Sequence, residues 1–125
     1  MKSLIVHCSL SQFDSPAKEY SEFGISLDKH LIKNKSATFI ARASGNCMAN
    51  AGIADGDILI IDRSAPRQKH SIYICALNGE FVCKYLDTDN RLLFTADENE
   101  PPYHIKEEDD FTIEGIVTSC IKEFQ

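Results

Sequence analysis

An Asn-Gly pair at positions 78 and 79, standing between two runs of β-branched, aromatic and aliphatic residues, constrains this chain more than any other feature. Two-residue loops that match the twist of antiparallel strands need positive φ at both positions, which Asn and Gly tolerate at low cost. The pair predicts a hairpin and fixes its register, with Leu77 opposite Glu80, Cys75 opposite Val82 and Tyr73 opposite Lys84. The same texture continues on both sides. Candidate strands at 38–43, 58–62, 71–77, 80–86, 91–96 and 112–122 are separated by turn residues, the spacing of a mainly β domain over 37–125.

Residues 1–36 lack any sustained period of 2 or 3.6 and read as a short mobile N-terminal arm. Within it Leu27, Leu31 and Ile32 can share a face over one or two helical turns. Acidic stretches at 97–100 and 107–110 around Pro101-Pro102 predict exposed loop flanking a rigid extended piece. Asp55-Gly56-Asp57 predicts a tight turn feeding strand 58–62. The third acidic ligand and the terminal Glu of a calcium loop are missing there.

At 125 residues the chain is sized for one compact domain. Its net charge of −6 predicts a surface that repels a phosphate backbone, which argues against direct high-affinity DNA binding. No run of 18 apolar residues occurs, and Leu4-Ile5-Val6 is too short for the apolar core of a signal peptide. The expectation is a cytoplasmic protein with no membrane association. Five cysteines, at 8, 47, 75, 83 and 120, form no CxxC pair, which argues against a disulfide framework and a zinc site and fits a reducing compartment.

Two residues stand out chemically. Alternation along strand 80–86 sets Lys84 between apolar neighbours on both faces, a half-buried amine. Burial disfavours the charged form of an amine, so a lysine held there can accept a proton from a nucleophile; the bland alternative is that it snorkels to water or pairs with an acid. A nucleophile is offered by Ala43-Ser44-Gly45-Asn46-Cys47-Met48, where a strand runs into a Gly turn that can project the next side chain and its backbone N–H. Gly45, Cys47 and Met48 are thus the candidate turn and oxyanion-binding residues. Against this, a lone cysteine is most often a small buried hydrophobe. Cys8, Cys75, Cys83 and Cys120 each sit in an apolar run and keep that reading, and histidines 7, 30, 70 and 104 carry no motif.

Taken together and in order, several stretches resemble the LexA/UmuD self-cleaving peptidase family over about residues 13–120. They are Ser15-Pro16-Ala17 with Tyr20, Ser36-Ala37-Thr38, Ala43 to Met48, the run from Gly52 to Asp62, Gly79 to Lys84, and Gly115-Ile116-Val117. The resemblance implies a LexA/signal-peptidase-like fold of several coiled β-sheets, no cofactor and no metal. It places the nucleophile at position 47 and its general base at Lys84. Some 36 residues without a helix-turn-helix pattern precede the β domain, which matches the UmuD-like branch rather than the repressors. That branch implies a homodimer, a Y-family, UmuC-like polymerase partner, and arm removal stimulated by a RecA filament on single-stranded DNA.

Two positions depart from the family pattern. Lys84 matches, but Cys47 stands where the family has serine; a thiol is the stronger nucleophile, yet sulfur is larger and a thiolate beside a lysinium would leave the base protonated. The scissile bond falls by counting at Ser11-Gln12, where Gln12 replaces the usual Gly. Three readings follow. The first is an inducible self-cleaving switch, the second a polymerase accessory subunit in which these changes have silenced cleavage, and the third a redox-sensitive form whose thiol is capped reversibly.

Overall fold

The structure is a computed structural model and describes residues 26–46 and 48–125. The arm up to residue 25, including Ser11 and Gln12, and the candidate nucleophile Cys47 lie outside the described residues. The chain divides into two compact units, Met1–Lys33 and Asn34–Gln125.

In the first unit the described structure is a short helix, α1 (Leu27–Leu31), closed by His30 and Ile32 N–H groups donating to the Ser26 and Asp28 carbonyls at 3.0 and 2.8 Å. The expected apolar face is not a buried one. None of the five helix residues is buried, Leu27 is 62% exposed, and Ile32 is already extended, so a single turn gives too few partners to bury a stripe.

The second unit is built from seven antiparallel strands: β1 (Thr38–Arg42), β2 (Ile58–Asp62), β3 (Tyr73–Leu77), β4 (Glu80–Asp87), β5 (Leu92–Phe94), β6 (Tyr103–His104) and β7 (Phe111–Ile121). Their hydrogen-bonded order is β1-β2-β7-β3-β4-β5-β6, so the long β7 joins the two halves. Two register shifts let it do so, one opposite Ile60/Ile61 and one opposite Ile74/Cys75. Each slips one extra residue into β7 and adds local twist, which coils the sheet around its own core.

The β3–β4 hairpin has the register that Asn-Gly predicts, including Tyr73 opposite Lys84, with φ of +51° at Asn78 and +85° at Gly79. β2 runs over 58–62 as expected. Its unbroken Ile58-Leu59-Ile60-Ile61 run is that of a strand covered on both faces, and Leu59, Ile60 and Ile61 are all buried. Two clusters fill the core. Met48, Ile53, Leu59, Ile61 and Ile74 form one, with Cys83 and Tyr85 packed on it; Tyr73, Cys75, Leu93, Ile105 and Ile116 form the other, with Val82 and Leu86 packed on it.

β3 begins at Tyr73 rather than 71, because Ser71 closes a turn with Gln68 through two hydrogen bonds. β6 has no counterpart among the predicted strands. Tyr103 pairs with Leu93 and His104 with Leu92 in the extended piece between the two acidic stretches, and Ile105 just after it is buried. No helix among the described residues is long and apolar enough to cross a membrane.

Candidate active site

The segment that enters position 47 leaves β1 at Arg42 and is laid along the turn at 54–57. Ala43 N–H donates to the Asp57 carbonyl and Gly56 N–H to the Ala43 carbonyl, each at 2.8 Å. Gly45 N–H donates to Asp55 Oδ1 at 2.8 Å, and Asp55 N–H donates to Asn46 Oδ1 at 3.3 Å. Arg42 Nη1 reaches the Gly56 carbonyl at 2.8 Å. Gly45 has φ of +87°, a conformation that any side chain would strain, so the glycine is what lets the chain turn here. Asp55-Gly56-Asp57 is therefore the tight turn that the sequence predicts.

On the far side of position 47, Met48 is anchored. Its side chain is 2% exposed in the first core cluster, and its carbonyl accepts N–H groups from Ala51 at 3.0 Å and Ile53 at 3.2 Å. An exposed, hydrogen-bonded turn thus meets a buried methionine across one residue. The described residues on either side of position 47 are thus each held in place.

Lys84 lies half-buried in the middle of β4, directly opposite Tyr73. Alternation sets it on the face of Val82 and Leu86, while Cys83 and Tyr85 pack toward the cluster of Met48. Gly45, Met48 and Cys83 line one groove of about 530 Å³ together with Phe39, Ile40 and Phe81. The groove therefore runs from the turn before position 47 to the residue before Lys84. Its rim is apolar, with Ile40 and Phe81 62% and 72% exposed, and carries Arg63, whose guanidinium stacks 5.0 Å above the Phe39 ring.

The other described cysteines differ in kind. Cys75 is fully buried, and that burial pushes its thiol up to about 12. Cys120 is exposed rather than the buried hydrophobe that its apolar run suggested, because it lies near the end of β7; partial desolvation and the Asp57 carboxylate, 3.3 Å from its sulfur, raise its thiol. Both are poor nucleophiles near neutral pH.

The cluster around Asp57 was not foreseen from the sequence. Asp57 is buried, accepts the Ala54 N–H at 2.7 Å and is paired with the Lys122 ammonium just beyond the end of β7. The Lys122 hydrogen bond, followed by the Ala54 N–H, holds its carboxyl below the usual carboxylate range against the opposing effect of burial. It ties the C-terminal end of the domain to the turn that carries the 43–46 segment. The two residues are 65 positions apart, a separation that no local pattern reports.

The sequence is also similar to known proteins. A model of the peptidase S24-like family matches residues 5–118. The chain is 35% identical over 109 residues to protein ImpA of Salmonella typhimurium, covering 87% of this chain and 75% of that protein. It is 33% identical over 113 residues to protein MucA of Escherichia coli, covering 89% and 77%. To the LexA repressor of Bordetella parapertussis it is 29% identical over 108 residues, covering 85% of this chain but 50% of the repressor.

Proposed function

The chain belongs to the peptidase S24-like family, the LexA/UmuD group of self-cleaving peptidases, and from that premise we propose that it is a UmuD-like protein of the SOS response that cuts its own N-terminal arm. The observation that most supports this reading is the tethered turn of Ala43 to Asn46, whose residues 43–45 line an apolar groove just ahead of position 47 in the chain. In the proposed reaction Lys84 accepts the Cys47 thiol proton and the sulfur attacks the carbonyl carbon of the arm's scissile peptide near Ser11-Gln12. Backbone N–H groups at the 45–48 turn steady the oxyanion. The Lys84 proton passes to the leaving amine, leaving a thioester that water hydrolyses to restore the thiol. Tethering gives the arm a high effective concentration, so a site that never serves as a general protease can still cut its own chain.

The shortened chain then acts as a homodimer in the cytoplasm with a Y-family, UmuC-like polymerase in translesion synthesis, and a RecA filament on single-stranded DNA stimulates the cut. A second reading is favoured by two residues, Cys47 in place of serine and Gln12 in place of glycine: a non-cleaving subunit that serves the polymerase at full length. Incubation with RecA, single-stranded DNA and a nucleotide separates the two. A fragment ending near residue 11 supports the switch, whereas an intact dimer that co-purifies with the polymerase supports the accessory subunit.

A further inference from the structure

We infer that Asp55 is the positioning residue of the turn that delivers position 47. The inference rests on the self-cleaving reading only for its consequence, because the latch itself is visible in the geometry. Asp55 is an exposed residue outside every stretch that carries a catalytic role, yet it holds the 45–46 segment from two directions. Its carboxylate accepts the Gly45 N–H at 2.8 Å, and its own N–H donates to the Asn46 side chain at 3.3 Å.

The need for a latch follows from the backbone. Gly45 sits at φ of +87° with nothing within 4 Å of where a Cβ would stand, so packing does not fix its conformation. A glycine has the widest conformational choice of any residue, and in open space only hydrogen bonds select one state. Backbone hydrogen bonds to the 54–57 turn end at Ala43. From there to the buried Met48, Asp55 holds the Gly45 N–H and the Asn46 side chain, while the Asn46 carbonyl separately accepts the Ala49 N–H at 3.0 Å, so Gly45 is the residue that depends on Asp55. An aspartate suits the task because an ionised carboxylate makes a stronger hydrogen bond to a backbone N–H than a neutral acceptor does. Attack on a peptide carbonyl tolerates little misplacement of the nucleophile, so loss of the latch lowers the rate without unfolding the domain.

The test uses the full-length chain, and a Cys47→Ser chain in parallel, each carrying Asp55→Ala or Asp55→Asn. Asparagine keeps an acceptor oxygen and the backbone N–H; alanine removes the acceptor. Amide exchange at Gly45 should quicken at least tenfold in Asp55→Ala and stay within threefold of the parent in Asp55→Asn. Self-cleavage should slow at least tenfold in the former and recover to within threefold in the latter. Unchanged Gly45 exchange in Asp55→Ala overturns the inference, as does parental cleavage with a loosened Gly45, or an asparagine variant as slow as the alanine one. If neither background cleaves at all, the self-cleaving reading fails by itself, and Gly45 exchange alone decides whether Asp55 holds the turn.

Discussion

Gly115, on β7, sits where the two halves of the sheet meet, and its replacement by alanine gives a sharp test of the packing. Its conformation is an ordinary strand one; what excludes a side chain is proximity. A Cβ built there would lie 2.7 Å from Cγ2 of Ile61 and 3.3 Å from the Asp62 carbonyl oxygen. Ile61 is fully buried in the cluster that anchors Met48, so its methyl group has nowhere to retreat without moving Leu59 or Ile74. Overpacking of this kind costs about 1–3 kcal/mol, offset by about 0.4–1 kcal/mol because alanine restricts the unfolded chain. The expected net loss is about 1–2 kcal/mol, or roughly 5–10 °C in Tm for a domain of this size. Urea titration monitored by far-UV circular dichroism should show a lower midpoint with an unchanged slope. In an Ile61→Ala background, where the clashing methyl is gone, the same substitution should cost markedly less. A Gly115→Ala chain as stable as the parent would refute the close approach, and full additivity with Ile61→Ala would refute its assignment to that methyl.

Gly79→Ala tests the hairpin in the opposite sense: there is open space around its Cβ position but φ is +85°, so the loss should be about 1 kcal/mol and come from backbone strain alone. Asp57, Asp62, Asp87 and Asp109 all have carboxyls held below the ordinary range, Asp109 at about 2 chiefly through Asn78 and the Lys106 N–H. Groups whose folded value is depressed add stability above the unfolded value and lose it as pH falls through the folded one, so the urea midpoint should drop from about pH 4 toward pH 2. Asp109→Asn should make that decline shallower, and an identical acid profile would contradict its role. Cys75, with roughly one thiolate in ten thousand at pH 8, should resist alkylation of the native protein while denaturation exposes it. Peptide mass spectrometry gives that rate directly.

Local chemistry made some parts of this molecule legible and left others hidden. Asn78-Gly79 fixed a register because a two-residue loop leaves one pairing, and Ile58 to Asp62 was readable as a strand after the Asp55-Gly56-Asp57 turn, although its burial on both faces was not. β6 escaped because two exposed residues after Pro101-Pro102 carry no alternation; their pairing is decided by β5 and by the burial of Ile105. The α1 turn was visible, but not that Leu27 stays exposed, since burial depends on what lies opposite. At the site, Lys84 between apolar neighbours was readable from alternation, and the Gly45 turn from its residues. The Asp55 latch and the Asp57–Lys122 tie were not, because both join segments that only the folded sheet brings together.

In the proposed reaction position 47 and Lys84 act together on the chain's own arm. Its most direct test is the intact mass of the purified full-length protein after incubation at rising pH, read beside Lys84→Ala and Cys47→Ser chains. A fragment ending near residue 11 is expected in the parent and in Cys47→Ser, and none in Lys84→Ala. A parent that stays whole while Cys47→Ser is cut would mark the thiol as the silencing change and the protein as an accessory subunit. The same fragment appearing in Lys84→Ala would contradict the dyad outright.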